Sequence, residues 1–207
     1  MSDLLNALPD YRVDEYHAQG AICERDGEGP LYVFWLLSGS VVTYQNLPEH
    51  SRRVIDFLRP GQLFLGHEVP PSRIPLSGVR TRGPCSVARL TQECFLAHCQ
   101  ADPQLMALYM AQSQERLDRV ERKLASFTIH DVATRVLHAL ADLVGFPEAT
   151  PWETGWQIRI TRRELAQLVG CSREMAGRAL KELEEQGRVE LSGRKVFLPQ
   201  AFISSPP

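Results

Sequence analysis

Residues 161–187 read Thr-Arg-Arg-Glu-Leu-Ala-Gln-Leu-Val-Gly-Cys-Ser-Arg-Glu-Met-Ala-Gly-Arg-Ala-Leu-Lys-Glu-Leu-Glu-Glu-Gln-Gly. Thr161 and Glu164 stand three apart, the spacing of a capping box, so a helix starts at Arg162. Leu165, Leu168 and Val169 form its apolar side, and Ala166 is small enough to let a second helix cross closely. Gly170 suits a sharp turn, and Ser172 caps the next helix. In that helix Ala176, Ala179, Leu180 and Leu183 recur on one face, and Gly187 ends it.

The opposite face carries Arg173, Glu174, Gly177, Arg178 and Lys181. Arginine donates twice to guanine O6 and N7, and glutamate accepts from cytosine N4. These three side chains (Arg173, Glu174 and Arg178) therefore suit base edges in a major groove, and the glycine lets the helix sit deep. Thr161, Arg162, Arg163, Ser172 and Lys181 flank them where phosphates would pass. The plain alternative is a helical hairpin with a solvated charged face. The capping box and the segment that follows argue against it: Arg188-Val-Glu-Leu-Ser-Gly-Arg-Lys-Val-Phe-Leu reads as a β-hairpin turning at Ser192-Gly193. Such a hairpin makes a wing, with Arg194 as a further phosphate contact.

Upstream, Trp156-Gln-Ile-Arg-Ile alternates as a short strand, and Pro147 to Gly155 reads as a loop. Asp131 caps a helix carrying Val132, Val136, Leu137, Leu140 and Leu143 on one side. Before it lies one long helix over 102–127, capped by Asp102 with Pro103 in its first turn. Met106, Met110, Ser113, Leu117, Val120, Leu124 and Phe127 step along it by four and three, a seam of about three heptads. Such a seam packs either on the chain's own β domain or on a second copy. The polar opposite face favours the second copy and a homodimer.

Residues 1 to about 100 hold short apolar runs broken by glycine and proline: Leu31-Tyr-Val-Phe-Trp-Leu-Leu, Val41-Val-Thr-Tyr-Gln, Arg53-Val-Ile-Asp-Phe-Leu, Gln62-Leu-Phe-Leu, Val79-Arg-Thr and Ser86-Val-Ala-Arg-Leu. This spacing predicts a β-sandwich or barrel. With 207 residues, 43% of them hydrophobic, the chain can bury more than one core. No apolar run approaches the roughly eighteen residues of a membrane span, and the N-terminus has no signal-peptide order, so a cytoplasmic protein without membrane partners is expected. The net charge of −2 is no bar to nucleic acid, because from residue 156 onward nine bases face six acids, a net +3.

Residues 155–178 resemble the DNA-binding signature of the cyclic-AMP receptor protein and fumarate–nitrate reductase regulator (Crp/Fnr) family of bacterial transcription regulators. The resemblance extends more weakly over the whole chain. It implies an α+β fold: a jelly-roll sensor domain over 1–100, a dimerisation helix over 101–127, and a winged helix-turn-helix over 128–207. It implies a homodimer on palindromic double-stranded DNA, with Arg173, Glu174 and Arg178 reading half-sites of the TGTGA type. It also implies an activator whose 147–155 loop touches RNA polymerase. With no nucleophile elbow, metal-ligand cluster or phosphate loop in the sequence, an enzyme is not expected. Trp152 in that loop reads equally as a core residue.

The sensor domain departs from that pattern. The family's cyclic-nucleotide binders carry Gly-Glu for the ribose and Arg-Ser for the phosphate. Here Gly66-His67-Glu68 interrupts the first pair, and Pro75 and Leu76 occupy the second. A phosphate without arginine or hydroxyl partners loses its charge-assisted hydrogen bonds. Val120 and Glu121 stand where the family presents Thr-Ser to the adenine. DNA binding without cyclic AMP is therefore expected. The alternative is a haem or redox sensor of the same fold, controlled by another effector or acting through protein contacts. Cys23, Cys85, Cys94 and Cys99 do not follow iron–sulfur spacing. His67 or Cys85 is the candidate haem ligand, but no cofactor or metal is expected. Cys171 stands at the start of the second helix, where the dipole can lower a thiol pKa; the favoured reading is a small residue packed in the turn.

Overall fold

Leu31–Leu37 is apolar at nearly every position, which a strand tolerates only when both of its faces are covered. The computed structural model, which describes residues 11–17, 20–47, 52–69 and 76–203, shows why. Eight strands occupy the described N-terminal part: β1 (Arg12–Tyr16), β2 (Ala21–Glu24), β3 (Leu31–Ser38), β4 (Val41–Asn46), β5 (Arg52–Leu58), β6 (Leu63–His67), β7 (Ser77–Thr81) and β8 (Cys85–Thr91). All pair antiparallel in the order β1-β8-β3-β6-β2-β7-β4-β5, and β2 meets β6 only at Glu24 and His67. Two four-stranded halves thus fold over one core of Ile22, Phe34, Leu36, Val41, Leu58, Phe64, Val79 and Val87. The other face of β3, with Val33 and Trp35, is buried with Leu63, Leu90, Phe95, Cys99 and Leu105. This is the jelly roll that the family resemblance implies, and one form of the sandwich that the strand spacing predicts.

The covering residues come from two helices, α1 (Gln92–Ala101) and α2 (Pro103–Ile129). The first is absent from the sequence reading. Its Thr91 cap accepts from Cys94 N at 3.3 Å. The second is the expected long helix, ending two residues later. Its middle is stitched to the turn between β5 and β6. Gln112 accepts from Leu63 N at 2.8 Å and donates to Gly61 O at 2.9 Å. Arg116 donates to Leu63 O at 2.6 Å, and Arg119 pairs with Asp56 at 2.9 Å. Met106 packs with the covered face of the jelly roll, so the exposed stripe begins one step later. Met110 (64%), Leu117, Val120, Leu124 (69%) and Phe127 (38%) remain exposed along it.

The chain divides into two compact units, one ending at Glu121 and the other starting at Arg122. The second unit holds α3 (Val132–Asp142), β9 (Ala149–Trp152), β10 (Gly155–Arg159), α4 (Arg162–Val169), α5 (Arg173–Glu185), β11 (Glu190–Ser192) and β12 (Lys195–Pro199). Asp131 caps α3 by accepting from Thr134 N at 2.8 Å. Its sheet runs β11-β12-β10-β9. Val136, Leu140, Leu165, Ala176, Leu183, Ile158 and Leu198 are buried in this unit. Two expectations change here. The supposed 147–155 loop contains β9, which pairs antiparallel with β10 as an edge strand. Its Pro151 obscured it, although an edge strand tolerates proline. The wing turns at Gly193–Arg194, because Ser192 pairs with Lys195 and Gly193 has φ +61°.

Candidate nucleic-acid interface

The capping box forms as its spacing requires. Thr161 Oγ1 accepts from Glu164 N at 3.1 Å, and Glu164 Oε2 accepts from Thr161 N at 2.9 Å. The Thr161 hydroxyl also donates to Glu164 at 2.8 Å, so its hydrogen is already engaged within the chain. Gly170 ends α4 at φ +73°, a conformation that costs a residue with a Cβ. Ser172 Oγ accepts from Met175 N at 3.1 Å and starts α5 two residues later. Ala176, Ala179, Leu180 and Leu183 face inward, which leaves Arg173, Glu174, Arg178 and Lys181 exposed.

Arg162, Glu174, Gly177, Arg178 and Lys181 line one shallow concavity. Arg162 is the unexpected member. Its side chain runs past Gly177, with Cδ 3.7 Å from where a Cβ would stand. Its place in the sequence suits a phosphate contact, yet the fold seats it beside two of the base-reading candidates. Only the packing of α4 across α5 reveals this. Arg163 is exposed on α4, and Arg194 is exposed at the tip of the wing. Arg162, Arg178 and Lys181 thus share one surface along the exposed face of α5, whose N-terminal end adds partial positive charge.

Cys171 lies beside this surface. Burial raises its thiol above the usual range, with Arg135 only partly offsetting that effect. A partly covered sulfur with a raised pKa fits the reading of a small residue packed in the turn. Cys23 and Cys85 lie in the jelly-roll core, their thiols pushed up by burial to about 12 and about 11. They pack as small apolar residues. Among the described residues, no three His, Cys, Asp or Glu side chains gather as a metal site. His67 shares a hydrogen bond with Gly29 O at 3.1 Å.

Three of the four effector-pocket positions lie among the described residues. Gly66 is buried, and a Cβ there would run into Cys23 Sγ. Glu68 pairs with Arg89 on β8, which Asp14 also holds at 3.1 Å. Leu76 is 68% exposed, and Pro75 lies outside the described residues. Trp152 is half-buried, its ring 4.6 Å from that of Phe197, while Glu153 and Thr154 at the hairpin tip are exposed.

The profile of the Crp-like helix-turn-helix domain matches residues 134–201. The chain is 34% identical to the cAMP-activated global transcriptional regulator Vfr of Pseudomonas aeruginosa, over 80% of this chain and 79% of that protein. It is 31% identical to the cAMP-activated global transcriptional regulator CRP of Haemophilus influenzae, over 83% of this chain and 77% of that protein. Its fold is similar to that of the c-di-GMP responsive global regulator CLP of Xanthomonas campestris, with a TM-score of 0.77, 28% identity, and coverage of 96% of this chain and 99% of that one. CooA from Carboxydothermus hydrogenoformans shares the fold at 15% identity, with a TM-score of 0.77 over 93% of this chain and 85% of that one. The capped helix pair, its wing and these matches have one reading: the chain belongs to the Crp/Fnr family of transcription regulators, and its C-terminal helix-turn-helix is the DNA-binding domain.

Proposed function

We propose that the chain is a homodimeric transcription activator that reads a palindromic site with TGTGA-like half-sites and needs no cyclic AMP. The observation that carries this reading is the exposed set Arg173, Glu174 and Arg178 on the first turns of α5. Recognition helices meet base edges with their N-terminal residues. Arg162, Arg163, Ser172, Lys181 and Arg194 hold the phosphates. Thr161 supports them through its cap, its hydroxyl being engaged by Glu164. The exposed stripe of Met110, Leu117, Val120, Leu124 and Phe127 is the seam to a second copy.

Two observations support independence from cyclic AMP, although the curated relatives are named as activated by it. Leu76 offers a phosphate no donor side chain, and Glu68 is engaged by Arg89. Gln112, Arg116 and Arg119 already bind α2 to the jelly roll. The exposed tip at Glu153 and Thr154 is the surface for RNA polymerase, with Trp152 anchoring the hairpin on Phe197.

Selection of bound duplexes from random DNA, without added nucleotide, tests this reading. A palindrome with two half-sites about one helical turn apart is expected. Recovery only in the presence of cyclic AMP would overturn the effector-independent part, and recovery of no motif would overturn the base-reading part.

A further inference from the structure

Phe127 closes the exposed stripe of α2, yet only part of its ring remains open, at 38% exposure. The ring lies against the turn between α4 and α5. A Cβ on Gly170 would come within 2.8 Å of Phe127 Cζ and 2.9 Å of Cε1. The guanidinium of Arg135, on α3, sits 4.7 Å from the ring centroid. One aromatic ring thus joins three pieces of the second unit: the end of α2, the start of α3 and the turn before the recognition helix.

The covalent path from α2 to α3 is only His130 and Asp131. A single covalent joint leaves rotations about its backbone bonds open. A second, non-covalent point of attachment removes them. Phe127 supplies that second point, and it reaches the one residue whose αL backbone aims α5. Glycine at 170 serves two ends: it permits φ +73°, and it leaves room for the ring.

We infer that Phe127 is a positioning residue for the recognition helix, fixing the turn at Gly170 relative to the end of α2. The inference rests on the homodimer reading, because in a dimer this pose sets the distance between the two base-reading faces. Arg135 holds the ring in place by a cation–π contact. The residue touches no DNA; it acts through Gly170.

The test uses the full chain and its variants Phe127→Ala, Phe127→Leu and Gly170→Ala. Affinity is measured on the selected palindrome, on duplexes with the spacer changed by one base pair, and on a single half-site. The wild-type protein is expected to lose at least about tenfold on the altered spacers. In Gly170→Ala, which lies off the seam, and in Phe127→Ala that sedimentation shows to be still dimeric, that penalty shrinks to about threefold or less, while half-site binding stays within about twofold of wild type. A smaller penalty seen only in a monomeric Phe127→Ala overturns the inference. Phe127→Leu, which keeps apolar cover but not the ring, falls between wild type and Phe127→Ala and guards against a simple loss of folding. A full spacer penalty in folded, dimeric Phe127→Ala overturns the inference. So does a loss of half-site affinity that merely tracks the fall in melting temperature. A wild-type protein that is monomeric by sedimentation and indifferent to spacing overturns the homodimer reading, and the inference with it.

Discussion

Gly177 stands inside α5, where glycine costs about 1 kcal/mol relative to alanine. Nothing within the chain demands it, since its φ is not positive and a Cβ would meet Arg162 Cδ at an ordinary 3.7 Å. The demand comes from outside, from a groove that the helix must enter closely. Gly177→Ala should therefore stabilise the protein by about 0.5–1 kcal/mol and weaken DNA binding. Denaturant unfolding and titration with the selected duplex measure the two effects. A variant that lost stability, or bound as tightly as wild type, would contradict the argument. Arg178 and Lys181 separate in the same assay. Arg178→Ala should lose about 1–3 kcal/mol on the selected site and relax preference at one base pair. Lys181→Ala should weaken all sequences alike, as a phosphate contact does.

At the scale of elements, α3 carries a proton-linked contact. The His138 ring meets His130 edge-on, with centroids 5.1 Å apart, and burial lowers its pKa below the ordinary 6.5, helped by His130 and Arg188. The unfolded chain then takes up this proton first as pH falls. Stability is full above about 6.5 and declines as pH drops toward the folded value. Asp131 titrates lower still, because the Thr134 N–H holds its carboxyl below the usual range. Amide exchange across α3–α5 should quicken between neutral pH and about pH 5.5 beyond its intrinsic pH dependence, and His138→Gln should flatten that change. The elements most legible in the sequence were those with local chemistry: the Thr161–Glu164 box, the Gly170 turn, the Ser172 cap and the wing. Their signals lie within a few residues. α1 escaped because its capped start follows a strand directly and it has little amphipathic contrast. β9 escaped because Pro151 reads as a breaker. Met106 and Phe127 fit the heptad spacing, but packing gives the first to the jelly roll and part of the second to Gly170. Spacing names a helix face, not what covers it.

At the scale of the whole molecule, a net charge of −2 meets a polyanion. The contradiction is only formal, because charges screen over about 10 Å at 0.1 M salt, and the phosphates meet the local surface of the second unit. Four proposed phosphate contacts carry charge: Arg162, Arg163, Lys181 and Arg194, all exposed. A homodimer presents each twice. Counterion release then gives a slope of about −7 in log K against log salt, whereas one protomer gives about −4. Lys181→Ala removes two contacts from the dimer and should bring the slope to about −5. Arg178→Ala should weaken binding yet leave its slope unchanged if its partner is a base rather than a phosphate. Binding isotherms from 50 to 200 mM salt (roughly the range over which such contacts lose most of their strength) measure all three proteins. A wild-type slope near −4 would mean that one recognition helix engages at a time, and would sink the two-half-site reading while leaving the base-reading residues of α5 in place.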